Sequence, residues 1–254
     1  MHWPRGIPQL TTDAVADLVK WVIESEKILT YIYITHSHGD HFFGNGALLK
    51  QFPNAKVVSN PGVVAGMAAE ITPERMEAIW YKLFPGQIRE DVTAEATALK
   101  EDQFDIEGEK VPVIRTGNTD TDDTTAIWVP SIKLLVVGDA VYNNVHLYLG
   151  EEGSIKARLE WIAALEKLAA LKPQAVTGGH HDSQKGYGPE AIEDTKTYLQ
   201  HFNQHNVEIA EIEELYRKVL ELHPTRLNPG SAWAGANASK NPNSIWALMA
   251  GKKK

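Results

Sequence analysis

Residues 35–46 read THSHGDHFFGNG, and the hexapeptide His36-Ser37-His38-Gly39-Asp40-His41 within it holds three histidines and an aspartate. Imidazole and carboxylate at this density are the donors of a zinc-type divalent site. Immediately upstream, Tyr31-Ile32-Tyr33-Ile34 is a short apolar run of the buried-strand type, so the cluster sits where a strand ends. A histidine-rich surface loop would show the same letters. What separates the two readings is whether further donors follow along the chain.

They do, and each follows a strand signal. Asn118 comes after Val111–Arg115, Asp139 after Leu134–Val137, and His180 after Ala175-Val176-Thr177. Strand ends converge at one edge of a sheet, which is where α/β architectures gather their sites. Alternate residues such as His36 and His38 can point the same way and share one ion, while Asp40 and His41 face a second. Asp139 has two oxygens and can bridge both. Two ions roughly 3.5–4 Å apart hold a hydroxide at neutral pH and polarise a carbonyl or phosphoryl oxygen. His181 competes with its neighbour His180, and the glycine before it favours His180.

The remainder of the 254 residues bounds the function. A formal net charge of −8 repels phosphate backbones and argues against nucleic acid as a partner. The Lys252-Lys253-Lys254 end is too short to alter that. With no cysteine, a metal must be held by nitrogen and oxygen. No apolar run reaches the roughly 18 residues of a membrane span. The start, MHWPRGIPQL, lacks a signal-peptide core, so a cytoplasmic protein is expected.

Helical spacing predicts helices over 13–28 with Asp13 as N-cap, 44–51, Thr72 to about Phe84, 154–171 and 189–222, the last divisible into two. In 154–171 the expected inward stripe is Ile155, Leu159, Ile162, Leu165 and Leu168. Strands are expected at Lys56–Ser59, 111–114, 124–129, 134–137 and 175–177. No linker divides the chain, so a single α/β domain over 1–254 is expected, with its core in 11–222 and an irregular tail over 223–254, where 224–244 is rich in Pro, Gly, Asn and Ser.

The order H-x-H-x-D-H, then Thr116-Gly117-Asn118-Thr119, then Gly138-Asp139, then Gly179-His180 resembles the metallo-β-lactamase-fold hydrolases over roughly residues 30–200. The resemblance implies an αββα sandwich with the metal site at the shared edge of its two sheets. It implies His36 and His38 as ligands of a first metal, Asp40, His41 and His180 as ligands of a second, and Asp139 as the bridge. Asp40 would also orient the attacking hydroxide and handle protons. The implied cofactor is Zn2+, one or two ions per chain, and the implied reaction is hydrolysis of a small ester, lactone, thioester or amide. Tyr142, Asn143 and His146, just beyond Asp139, would line the substrate pocket or serve as packed loop residues.

Two departures qualify the resemblance. The family's G-H-T turn reads Gly117-Asn118-Thr119 here, so the first metal loses an imidazole and keeps at best a weak amide oxygen. The run Asp120-Thr121-Asp122-Asp123 could supply a carboxylate, although a turn capping its own amides explains it as well. Oxygen-rich ligation would favour Mn2+ or Fe2+. A catalytically impaired, metal-binding scaffold is the alternative. The second departure is the short lead of 35 residues before His36, which implies missing N-terminal strands. Either the chain is shortened, or another chain or a rearranged segment covers the open sheet edge, and a homo-oligomer is the expectation for such an edge.

Overall fold

Tyr31-Ile32-Tyr33 forms the strand β1 (Tyr31–Tyr33), with Ile32 buried and the two tyrosines half-buried against the Phe104 ring at 5.3 and 5.5 Å. The computed structural model describes residues 9–246, so the Lys252–Lys254 end and most of MHWPRGIPQL lie outside the described residues. The described chain divides into two units, residues 9–113 and 114–246.

In the first unit, α1 (Thr12–Glu24) precedes β1, and Thr11 rather than Asp13 is its N-cap. After β1 come a 3-10 turn (Gly39–His41), α2 (Asn45–Gln51), β2 (Lys56–Ser59) and α3 (Pro61–Glu70). The helix over Pro61–Glu70 adds to those that spacing predicts; Asn60 caps it by accepting from the Val63 amide at 2.8 Å, and Pro61 suits its first turn. The helix expected from Thr72 is broken into α4 (Pro73–Arg75), a π turn (Met76–Trp80) and α5 (Tyr81–Leu83). Trp80 is buried there and donates to Glu70 Oε1 at 2.9 Å, whereas Tyr81 is exposed. Short β3 (Thr97–Ala98) completes a parallel sheet of order β1-β2-β3, registered by Ile32↔Val57 and Val58↔Thr97. β4 (Gln103–Ile106) then pairs antiparallel with the start of β5 (Glu109–Gly117). Glu107 and Gly108 both take positive φ between them, as a tight two-residue hairpin turn requires.

In the second unit, the end of β5 is followed by β6 (Thr124–Val129) and β7 (Leu134–Gly138), an antiparallel pair registered by Ile127↔Val136. The helix α6 (Ile155–Ala169) then leads to β8 (Ala175–Gly178), parallel to β7 through Val136↔Thr177. The parallel β7–β8 pair, with its helical crossover, brings Asp139 and His180 out at the same end of adjacent strands.

The expected α6 stripe needs correction. Ile155 and Leu159 are 40% and 54% exposed, while Arg158, Trp161, Ala164, Leu165 and Leu168 are buried. Ser154 caps the helix by accepting from the Ala157 amide, and the phase it starts turns Trp161 and Leu165 to the core. α7 (Glu190–Glu208) and α8 (Ile212–Leu222) are the expected pair of helices, with Ile192, Leu199, Phe202 and Val219 buried.

The expected irregular tail is also corrected. It contains α9 (Pro229–Lys240), in which Ala232, Ala234, Gly235, Ala236 and Ala238 are buried. Small side chains allow close packing: a Cβ on Gly235 would come within 2.9 Å of Leu149 Cβ. Among the described residues no helix is long and apolar enough to cross a membrane.

Candidate metal centre

In the first unit, β1 hands the chain to His36, His38 stays extended, and the 3-10 turn sets Asp40 and His41. Gly39 is required in this turn, because a Cβ there would fall 2.5 Å from the Phe43 ring and 2.9 Å from Trp80. His36, His38 and His41 are buried, with the His36 ring 4.0 Å from that of His41 and 5.0 Å from that of His38. Thr35 Oγ1 hydrogen-bonds His36 Nδ1 at 3.1 Å, which fixes the ring and presents Nε2 as the remaining donor atom. Asp40 Oδ2 lies 3.6 Å from His41 Nε2.

In the second unit, Asp139 Oδ2 lies 3.1 Å from His180 Nε2. Two donors on one tetrahedral ion with bonds near 2.0–2.1 Å are about 3.3 Å apart. The Asp139–His180 pair therefore has the dimension of one edge of a coordination shell, and Asp40–His41 is close to one. The donors are nitrogen and oxygen, of the type a divalent ion requires, with His41 and Asp139 buried and Asp40 and His180 partly buried. His181 is directed elsewhere: its Nε2 is 3.0 Å from the Lys185 carbonyl and its ring stacks on Tyr187.

Asn118 follows directly on the last residue of β5, and its Nδ2 donates to Glu152 Oε2 at 2.8 Å. Burial pushes the Glu152 carboxyl up to about 8, against the opposing hydrogen bond from Asn118, with the nearby charges of Asp120, Glu151 and Asp122 adding to the rise. Asn118 is thus tied to a glutamic acid that is largely protonated at neutral pH. Two residues on, Asp120 is fully buried and accepts from Thr119 Oγ1 at 3.0 Å. The turn does form, with the Thr119 amide on the Thr121 carbonyl, but it buries the Asp120 carboxylate instead of leaving it in solvent.

Of the expected pocket residues, Tyr142 is at the cluster, its hydroxyl donating to Asp139 Oδ2 at 2.7 Å. Asn143 Nδ2 donates to the Gly186 carbonyl at 2.7 Å, and the Asn143 amide to the His180 carbonyl. His146 is a core residue, with Nδ1 3.1 Å from the Tyr198 hydroxyl. Their polar atoms are engaged within the fold: Asn143 ties down the loop that carries His180, and His146 packs under α7.

Burial lowers His146 and His223 to about 4 each, so the folded chain favours both rings neutral. The stability this contributes is fully present above the unfolded value of 6.5 and is lost as pH falls from 6.5 towards 4. Each proton adds a slope of up to about 1.4 kcal/mol per pH unit in that window. Urea midpoints are expected to fall steadily from pH 7 to pH 4.5, and His146→Gln should flatten the fall; an unchanged profile would contradict this role for the ring.

The sequence profile of the metallo-beta-lactamase superfamily matches residues 13–180, so the chain belongs to that superfamily. Among solved structures, a metallo-beta-lactamase family protein from Thermus thermophilus superposes with a TM-score of 0.66 at 19% identity, covering 97% of this chain and 84% of that one. A metallo-beta-lactamase from Pontibacter korlensis gives 0.54 at 20% identity, covering 76% of this chain and 79% of that one. At such identities the likeness concerns the fold, which is the α/β sandwich of this superfamily. No curated protein matches the chain.

Proposed function

We propose that the chain is a metal-dependent hydrolase of small esters, lactones, thioesters or amides. Superfamily membership and its histidine–carboxylate groups support a metal-dependent hydrolase in general. The observation that carries the reading is the Asp139–His180 pair, two donors from separate strand ends held one shell edge apart. This reading draws its ligands from His36, His38, Asp40 and His41 in the first unit and from Asp120, Asp139 and His180 in the second. In this reading the Asp120 carboxylate stands in for the imidazole that Asn118 lacks, an exchange that favours Mn2+ or Fe2+ alongside Zn2+. When bound, the ion supplies Lewis acidity and makes a nucleophile available at neutral pH. The chain's own residues do the rest. Asp40 holds and moves the proton of the attacking group, Thr35 keeps the His36 ring in one orientation, and Tyr142 secures Asp139. The acidic composition favours a small-molecule substrate over nucleic acid.

Asn118, held by Glu152, favours one competing reading, a metal-binding scaffold with impaired turnover. A panel of generic lactone, thioester, ester and amide substrates separates the two. The enzyme reading expects hydrolysis of at least one class, lost on chelation and restored by Zn2+, Mn2+ or Fe2+. Chelator-insensitive hydrolysis would contradict it. No turnover, even in Asn118→His, would leave the scaffold.

A further inference from the structure

Tyr142 is 1% exposed, and its hydroxyl donates at 2.7 Å to Oδ2 of Asp139, the same oxygen that faces His180 Nε2 at 3.1 Å. The Tyr142 ring lies nearly parallel to the His180 imidazole, with centroids 5.3 Å apart and planes 14° from parallel. One side chain therefore touches both partners of the shell edge, Asp139 through its hydroxyl and His180 through its face.

The ring is itself held. Another neighbour is Trp161, at 6.2 Å, and the Trp161 indole donates to the Ala140 carbonyl at 2.8 Å, on the loop between Asp139 and Tyr142. The Tyr142 amide donates to Thr195 Oγ1 at 3.2 Å. Backbone, ring and hydroxyl are each fixed by a different contact, so the phenol has little freedom to serve a substrate.

We infer that Tyr142 is a positioning residue, which orients the Asp139 carboxylate and the His180 ring so that both converge on one divalent ion. This rests on the metal-dependent reading above. A hydrogen bond to a ligating carboxylate sets which lone pair faces the metal, and its loss loosens the metal by about 10–100-fold in comparable sites.

The test uses the full chain, with Zn2+ and Mn2+ dissociation constants measured by competition against a chromophoric chelator, and kcat and KM measured separately. Tyr142→Phe removes only the hydroxyl and keeps the ring stacked, so it retains the fold. Thr195→Val loosens the Tyr142 backbone without touching Asp139. The expected result is metal binding weakened about 10–100-fold in Tyr142→Phe and little changed in Thr195→Val. Equal weakening in both variants would reduce Tyr142 to a packing residue and overturn the role. So would unchanged metal affinity with a raised KM, which would make the phenol a substrate contact. A wild-type chain that binds neither of these ions, nor Fe2+ supplied under reducing conditions, would sink the metal-dependent reading itself, and the role with it. Unchanged affinity in Tyr142→Phe of a metal-binding wild type would sink only the role.

Discussion

Asp40→Asn is expected to reduce turnover by about 10²–10⁴-fold while leaving the fold intact. That is the usual contribution of a positioned acid–base group. The change is nearly isosteric, and Asp40 is only partly buried on a short 3-10 turn, so no core packing is lost. What is lost is the negative charge beside His41 Nε2, at 3.6 Å, and with it a group able to accept a proton from an attacking water without giving up an imidazole. Circular dichroism and the urea midpoint should match those of the wild type. Turnover within about tenfold of wild type would remove Asp40 from the chemistry.

Trp161→Ala is expected to be the most damaging change to stability. The side chain is fully buried in the core cluster that also holds Leu135, Leu165 and Tyr142. Truncating a buried tryptophan costs about 3–5 kcal/mol. The Ala140 carbonyl would also lose its indole donor at 2.8 Å, adding about 1 kcal/mol or more. Against a typical total of about 5–15 kcal/mol this brings the unit near its unfolding threshold. The midpoint of urea unfolding, analysed with the wild-type slope, gives the size of the effect. Trp161→Phe should recover more than half of it, whereas a loss below about 1 kcal/mol for Trp161→Ala would contradict the packing described.

The candidate site is more legible in the sequence than the helices around it. His36, His38, Asp40 and His41 lie within six residues, so their proximity follows from the chain alone, and Asp139 and His180 each follow a readable strand. The Asp139–His180 contact needs only two parallel neighbouring strands of matched length. Asp120 is harder, because spacing cannot tell whether a turn carboxylate faces water or the interior; the difference lies in how Thr119 and Thr121 fold the turn. His146 misleads for the opposite reason: it follows the aspartate closely, yet its ring is taken by Tyr198, a partner remote in sequence.

Helix phase is the less legible feature, as α6 shows, where an all-aliphatic stripe looks sufficient on paper. The actual face depends on where Ser154 starts the helix and on a buried arginine, Arg158, which hydropathy assigns to the surface. Its guanidinium is retained inside by the Glu152 carbonyl and Asn203 Oδ1. α9 hides in the sequence because its alanines, glycines and asparagines resemble a loop in composition. Their small volume is what allows the close approach to Leu149.

Whether these donors hold a catalytic divalent ion is tested most directly by the metal content of protein purified without chelators. Plasma emission should find zinc, manganese or iron at one or two ions per chain, falling in His180→Ala. Protein that carries no stoichiometric ion, and takes none up when all three are supplied, would contradict the metal-dependent reading.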